Sequence, residues 1–598
     1  MTKKIVRIGG AAGYWGDSYG GAAQLVDKGD VDYLVFDYLA EVTMSILAKA
    51  RSRSESAGYA TDFVSGILKP LLPKLAAKGI RVVANAGGVN LRACQAAIQK
   101  LTEEAGIRLK IGIVEGDNLL DRDAEFRAAG VTEMFTGASF PPQTASINAY
   151  LGAFPVAAAL AAGADIVITG RVVDSAVTLG PLIHEFGWQP GDYDHLAAGT
   201  LAGHLIECGC QVTGGNFTDW QLVADQWHDM GYPIAECAAD GSFVITKAEG
   251  TGGLVSLHTV GEQMLYEIGD PQAYIVPDVV CDFASVTMQQ LAEHRVRVSG
   301  ARGYPPTTTY KVCSTYPDGH RATCLQTITG FDTEAKAQQM GESILARCSR
   351  MLAEHGWADF RKTQIDLLGA NTLWNPTEVK RQTPSSEVVL SISAYHDAPE
   401  AVDLFSRETM GCALSMAAGR CGAGATGRPR VSPVVRLFSF LLDKNSVPVN
   451  VAVDGHNIEL PDTGTKAVFA DHMQVMLPPL PVQEANEGFV EMVPLLKLAV
   501  ARSGDKGEDA NIGVIARKPE YLPYIMAALT PQRVAEWFSH VLAGDVIRYE
   551  LPGINALNFV LKNALGEGGV ASLNIDVQGK TYGQQILAMP VAIPGEFN

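Results

Sequence analysis

Five short apolar runs constrain this chain more than any other feature. Ile5–Ile8, Tyr33–Phe36, Arg81–Ala84, Lys110–Val114 and Asp165–Thr169 each stop at Gly, Asp, Asn or Glu, and stretches with helical spacing separate them. Strands that alternate with helices and stay apolar along their length belong to a parallel sheet covered on both faces. The expectation is therefore an α/β domain over 1–295 built on a mostly parallel sheet. In such sheets ligands sit beyond the carboxyl ends of the strands. Those ends carry Gly9-Gly10, Asp37, Asn85, Glu115-Gly116-Asp117 and Gly170-Arg171.

Near Ser299 the pattern changes. A hairpin is expected from Thr307–Thr315 and Arg321–Ile328 around Pro317-Asp318-Gly319, followed by a helix over Thr333–Glu354, a helix near Glu400–Gly419 and strands at Val431–Leu437 and Val447–Val453. This predicts an α+β domain over 296–460, with antiparallel strands and helices on one face. Pro and Gly interrupt any period in 461–491, which reads as a linker. The last unit, 492–598, reads as a small ferredoxin-like α+β sandwich. In it, Leu557, Val560, Leu561 and Leu565 form a helical stripe closed by Gly566, and Leu573, Ile575 and Val577 alternate as a strand.

At 598 residues the chain is long enough for about three domains, and 47% hydrophobic with 19% charged residues gives ample core. A net charge of −18 disfavours nucleic acid as a partner. Ten scattered cysteines read as reduced thiols rather than a disulfide framework. MTKKIVRIGG lacks the apolar core of a signal peptide, and Gly163 and Asp165 interrupt the most apolar stretch, Ala153–Gly170, so no bilayer span is expected. Together these point to a cytoplasmic protein without membrane partners. A high apolar fraction with an acidic remainder points to a homo-oligomer.

The first run leads into VRIGGAAGYWGDSYGGAAQLV, Val6 to Val26. A dinucleotide fingerprint needs G-x-G-x-x-G between strand and helix and an acid about 20 positions on. Here the spacing is G-G-x-x-G and the nearest strand-end acid is Asp37, a partial match. Two other readings stand beside it: a turn that brings Gly9 and Gly10 against an anionic ligand, or a plain corner in which Asp17 or Ser18 caps the next helix. The ligand turn is the expectation taken forward.

Phosphate-loop, kinase and nucleophile-elbow signatures are absent from the sequence. His204-x-x-x-Cys208-x-Cys210 gathers three possible metal ligands, but not at structural-zinc spacing. No metal site is expected. Asp37 and Glu41 stand four residues apart, suiting either a general acid–base pair or a cap beside a solvated acid. ITGRVVDSA, Ile168–Ala176, sets Gly170 and Arg171 at a strand end with Asp174 and Ser175 opening a helix, which suits a carboxylate or phosphate, or else a surface Arg171–Asp174 pair. GRCGAGATGRPR (Gly419–Arg430) and ARSGDKG (Ala501–Gly507) concentrate glycine and positive charge, as phosphate sites or as flexible loops.

Several longer stretches resemble the acyclic terpene utilisation AtuA family: VRIGGAAGYWGDS, FDYLAEVTMSILAKA, NAGGVN, ITGRVVDSAVTLGPLIHEFGW, GTLAGHLIECGCQVTGGNFTDW and GTGGLVS. AVARSGDKGEDANIGVIAR is similar to the ferredoxin-fold domain that accompanies that family. The resemblance implies a role beside acyl-CoA carboxylases and enoyl-CoA hydratases in the breakdown of citronellol, geraniol and leucine-like branched acids. One step it suggests is cleavage of a 3-hydroxy-3-isohexenylglutaryl-CoA-like thioester. Hydration of the unsaturated thioester and a non-catalytic acyl-CoA-binding role are the alternatives. Acyl-CoA is then the small-molecule partner, and no bound cofactor is expected.

Cleavage needs a base for the tertiary hydroxyl and a cationic or amide site for the departing enolate. Asp37, Glu41 and Asp117 are the base candidates, and Arg171 with Asp174 completes the catalytic set. Gly9, Gly10, Asn85, Gly87, Gly88, Glu115, Gly170, Ser175, Gly215 and Asn216 are candidates for binding substrate, with amides after Gly87 or Gly215 as oxyanion donors. Arg420, Arg428, Arg430, Arg502 and Lys506 are candidates for the CoA phosphates.

Overall fold

A computed structural model describes residues 4–379, 384–422, 427–460 and 490–595. Most of the expected linker and Gly424 of the glycine–arginine loop lie outside the described residues.

The five apolar runs form the strands β1 (Ile5–Ala12), β2 (Tyr33–Phe36), β3 (Arg81–Ala84), β4 (Ile111–Glu115) and, after β5 (Ser146–Ala149), β6 (Ile166–Thr169). β1, β2, β3, β6 and β4 lie side by side in that order, and all their pairings are parallel. They are the centre of an 11-stranded sheet that adds antiparallel strands on both flanks. Beside β1 come β7 (Pro233–Ala238) and β8 (Phe243–Lys247), then Arg295–Ser299 and Thr287–Ala292. Beside β4 come Asn450–Val453 and His456–Ile458.

Alternation along the strands sends side chains to two cores. Leu34, Phe36 and Val82 pack with helices α1 (Gly20–Lys28) and α2 (Glu41–Arg53) and with Leu91–Ala105 on one face. Tyr33, Val35 and Val83 pack with Phe154–Ala161, Ala176–Phe186 and Tyr193–Ile206 on the other. The chain steps in one direction from β1 to β4 and then turns back to insert β6 between β3 and β4. The helix after β3 therefore lies on one face and the helix after β6 on the other. A crevice must open between the carboxyl ends of β3 and β6.

The second unit surrounds one 21-residue strand, Thr309–Thr329. The expected hairpin is not formed. Pro317-Asp318-Gly319 instead lies at a register shift in the pairing with Ser432–Asp443, where Gly319 takes φ +74° and the Asp318 carboxylate accepts from Arg361. Helices Thr333–Glu354 and Pro399–Gly411 cover the sheet through a common core. The unit exchanges strands with the first: β5 pairs with Val312–Thr315, and Asn450–Val453 pairs with β4. The divisions at 295 and 460 thus cut across a shared framework.

The C-terminal ferredoxin-like domain carries a four-stranded antiparallel sheet in the order Ala499–Lys506, Asp509–Ala516, Ala556–Leu561, Val546–Leu551. The stripe expected to be helical at Leu557–Leu561 is a strand, because Leu557, Phe559 and Leu561 enter the domain core while Asn558 faces the other way, toward the first domain. The segment containing Leu573, Ile575 and Val577 is not a strand. Val490–Pro494 pairs with Pro590–Pro594 and closes the domain.

Candidate active site

The crevice is where most of the strand-end residues meet. Asp37 follows β2 and accepts a hydrogen bond from Asn85 Nδ2 at 2.5 Å, while Asn85 Oδ1 accepts from the Tyr38 amide at 2.7 Å. Asn85 thus ties the end of β3 to the end of β2. Burial, with the charges of Asp174 and Glu207 nearby, pushes the Asp37 carboxyl well above the ordinary carboxylate range, against the pull of Arg171.

Asp117, beyond β4, has a different role from the expected base. Its Oδ2 accepts from the Arg171 amide at 2.8 Å and from Asn148 Nδ2 at 2.9 Å. Burial raises it to about 6 against those bonds. Gly170 is glycine because a Cβ there would stand 2.3 Å from Asp117 Oδ1. The carboxylate is committed to shaping the turn that presents Arg171.

Arg171 is 4% exposed, so it is no surface partner for Asp174. Its Nη1 donates to Asp174 Oδ1 at 2.8 Å and to the Leu39 carbonyl, and its guanidinium carbon lies 4.3 Å from the centre of the Tyr150 ring. Its Nε is buried without a hydrogen-bond partner. Glu41 opens α2, where a helix N-terminus favours its charge, and accepts from the Tyr150 hydroxyl. Burial opposes that charge, but the cations Lys311 and Arg171 and the Tyr150 hydroxyl outweigh it and hold the carboxyl at about 2. Two carboxyls around one guanidinium are thus shifted in opposite directions, Asp37 up and Glu41 down.

Arg171, Glu41 and Tyr150 line a small cleft, closed by Asn148, Cys313 and Thr315, whose enclosed part has room for about one water. Asn148 Oδ1, like Arg171 Nε, is buried and unpaired. The cleft thus holds one unused donor and one unused acceptor, the polar complement for a group that both accepts and donates, such as a hydroxyl or a protonated carboxyl. The sequence pattern does not single out Asn148, Tyr150, Lys311 or Cys313. They arrive on β5, the residue after it and the long strand, so only the pairing of those strands could have indicated them.

Other candidates lie elsewhere or are occupied. Gly9 and Gly10 are inside β1, not in a ligand turn. A Cβ on Gly9 would meet Leu25 at 2.9 Å and one on Gly10 the Ile206 carbonyl oxygen at 2.4 Å, so both glycines serve packing. Asp17 stitches the loop through the amides of Gly13 and Ser18. The Gly87 amide donates to the Thr169 carbonyl, and a Cβ on Gly88 would strike Leu47, so this loop packs β3 against its neighbours. Glu115 pairs with Arg92 at 2.6 Å on the outside. Ser175 is buried under Gly203, and its carbonyl accepts from Thr178 and Leu179. The Gly215 amide is taken by the Cys210 carbonyl.

The cationic candidates do not converge. Arg420 is bound to Gln326 and the Thr409 carbonyl, and Arg428 pairs with Asp403, both in the second unit with exposed Arg430. Arg502 donates to the Asn216 carbonyl at 2.7 Å and stacks on Tyr266, and Lys506 is exposed near the Tyr274 ring. His204 and Cys208 belong to no metal-ligating group: among the described residues no three His, Cys, Asp or Glu side chains are grouped to hold a metal ion. No helix among the described residues is long and apolar enough to cross a membrane.

The sequence matches the acyclic terpene utilisation family protein AtuA over residues 6–453 and the AtuA ferredoxin-like domain over residues 493–592. The chain belongs to that family. No curated protein and no solved structure matches it.

Proposed function

We propose that this AtuA-family chain is an enzyme of acyclic-terpene and branched-chain breakdown, a carbon–carbon lyase acting on a 3-hydroxy-3-isohexenylglutaryl-CoA-like thioester at the Arg171 cleft. The observation that carries this reading is the buried guanidinium with an unused Nε, set at the crevice between β3 and β6 between one carboxyl whose proton affinity is raised and one whose affinity is lowered. In the reaction Asp37, as carboxylate, takes the proton of the tertiary hydroxyl. The bond between the carbinol carbon and the thioester arm breaks, its electrons pass into the thioester enolate, and the carbinol becomes a ketone. Arg171 stabilises the enolate oxygen, and the proton held by Asp37 returns to the enolate carbon. Glu41 stays ionised, balances Arg171 and orients Tyr150. The cleft receives only the thioester oxygen, with the acyl chain and CoA lying outside it.

Purified protein incubated with branched 3-hydroxyacyl-CoAs and their unsaturated counterparts, followed by mass spectrometry, tests this. Release of a shorter acyl-CoA and a ketone is the expected result. Gain or loss of one water without chain cleavage makes the protein a hydratase. Tight binding with no turnover makes it a binding component of the pathway.

A further inference from the structure

None of Arg420, Arg428, Arg430, Arg502 and Lys506 lines the Arg171 cleft. Helix α2 does. Its first residue, Glu41, and Met44 line the cleft, and the helix runs from there to Arg53. Met44 and Leu47 are buried on its inner side. The outer side carries Val42, Ile46, Lys49 and Arg53, spaced i, i+4, i+7 and i+11, which on an α-helix is one stripe. Val42 is half-buried, Ile46 is 50% exposed, and Lys49 and Arg53 are exposed. The stripe is apolar beside the cleft and cationic away from it.

Cations in the last turn of a helix balance its dipole. Arg51 serves the helix end in this way, its Nη1 donating to the Glu55 carbonyl at 2.6 Å. Lys49 and Arg53 are in surplus: among the described residues neither side chain has a hydrogen bond or an ion pair. Like charges at i, i+4 repel, and an anion held between them relieves the repulsion. Lys49 stands about 12 Å and Arg53 about 18 Å beyond Glu41 along the helix axis. An extended pantetheine arm separates a thioester from a pyrophosphate by a comparable distance.

We propose that α2 is the track of the CoA group. The pantetheine arm lies over Val42 and Ile46, and Lys49 and Arg53 bind the pyrophosphate and the 3′-phosphate. The assignment rests on the acyl-CoA reading of the ligand and is independent of the reaction at Arg171.

Titration calorimetry of the full chain with free CoA tests the track. The parent should bind CoA more tightly than ADP, which has the pyrophosphate without the arm, and added salt should weaken both. The double variant Lys49→Gln/Arg53→Gln should weaken CoA at least about tenfold and keep the parent thermal midpoint, since both side chains are exposed. Lys506→Gln, which removes an exposed cation of the C-terminal domain, should keep the parent affinity. Parent-like CoA affinity in the double variant, equal binding of CoA and ADP, or no binding of CoA by the parent overturns the track. With an accepted thioester the double variant should raise KM about tenfold and leave kcat within about twofold. Chain cleavage with an unchanged KM overturns the track and keeps the lyase. CoA bound through Lys49 and Arg53 without chain cleavage removes the lyase and keeps the track.

Discussion

Two buried arginines, each stacked on a tyrosine, are used in opposite ways. Arg171 lies 4.3 Å from the Tyr150 ring centre and Arg502 4.7 Å from that of Tyr266. Arg502 works in a joint. It donates to the Asn216 carbonyl, where Asn216 holds φ 53°, and its neighbour Ala501 exchanges hydrogen bonds with Thr218. Asn511 and Asn558 complete that joint by gripping the Leu265, Ile268 and Gly269 carbonyls and the Glu267 amide. Among the described residues no Arg502 atom is buried without a partner, whereas Arg171 Nε is. A satisfied cation fastens two domains, and an unsatisfied one beside a cleft leaves a donor open to a ligand.

The joint should break most severely. Asn558→Leu takes the amide from the Ile268 and Gly269 carbonyls and removes one of the two acceptors of Asn511 Nδ2, and about 3–5 kcal/mol of stability should disappear in urea denaturation. Undiminished stability would mean that the two domains are not held by this grip. On the site side, Tyr150→Phe keeps the ring under Arg171 but removes the hydroxyl that donates to Glu41. A loss of about 1.5–3 kcal/mol is expected, because the acceptor is charged.

Glu41 sharpens the contrast through pH. Its folded value of about 2 lies below the ordinary 4.5, so its charge contributes stability that is full above about pH 4.5 and lost as pH falls toward 2. Its side chain is 27% exposed, and solvent screening reduces the effect to about 1–2 kcal/mol. The stability gap between Glu41→Gln and the parent should therefore close between pH 4.5 and pH 2; a gap independent of pH would deny the pairing with Lys311 and Arg171. Least affected should be Arg428→Ala, which removes an exposed pair with Asp403 and should change stability by no more than about 0.5 kcal/mol.

Much of this site is legible in the amino-acid sequence. Tyr33–Phe36 and Arg81–Ala84 end where β2 and β3 end, because a strand buried on both faces is a continuous apolar run with an abrupt polar stop. Asp37, Asn85 and Arg171 follow from those stops. Gly9 and Gly10 mislead because a strand glycine that admits a helix and a turn glycine that admits a ligand look alike in sequence. The Pro317-Asp318-Gly319 turn signal is overridden by Ser432–Asp443, which pairs on both sides of it. Tyr150 and Lys311 are far apart along the chain and meet only through the pairing of β5 with the long strand, which no local pattern encodes.

The central claim is that Arg171, and not another of the chain's arginines, receives the thioester oxygen. Titration calorimetry of one accepted acyl-CoA against Arg171→Lys and Arg502→Lys in parallel tests it most directly. Lysine keeps the charge and loses the planar fork. Affinity should fall by about 1–3 kcal/mol in Arg171→Lys and stay at the parent value in Arg502→Lys, whose loss appears in stability alone. Parent-like affinity in Arg171→Lys, with weakened binding in Arg502→Lys or in Arg428→Ala, would contradict the account and place the ligand at the domain joint or at the glycine–arginine loop.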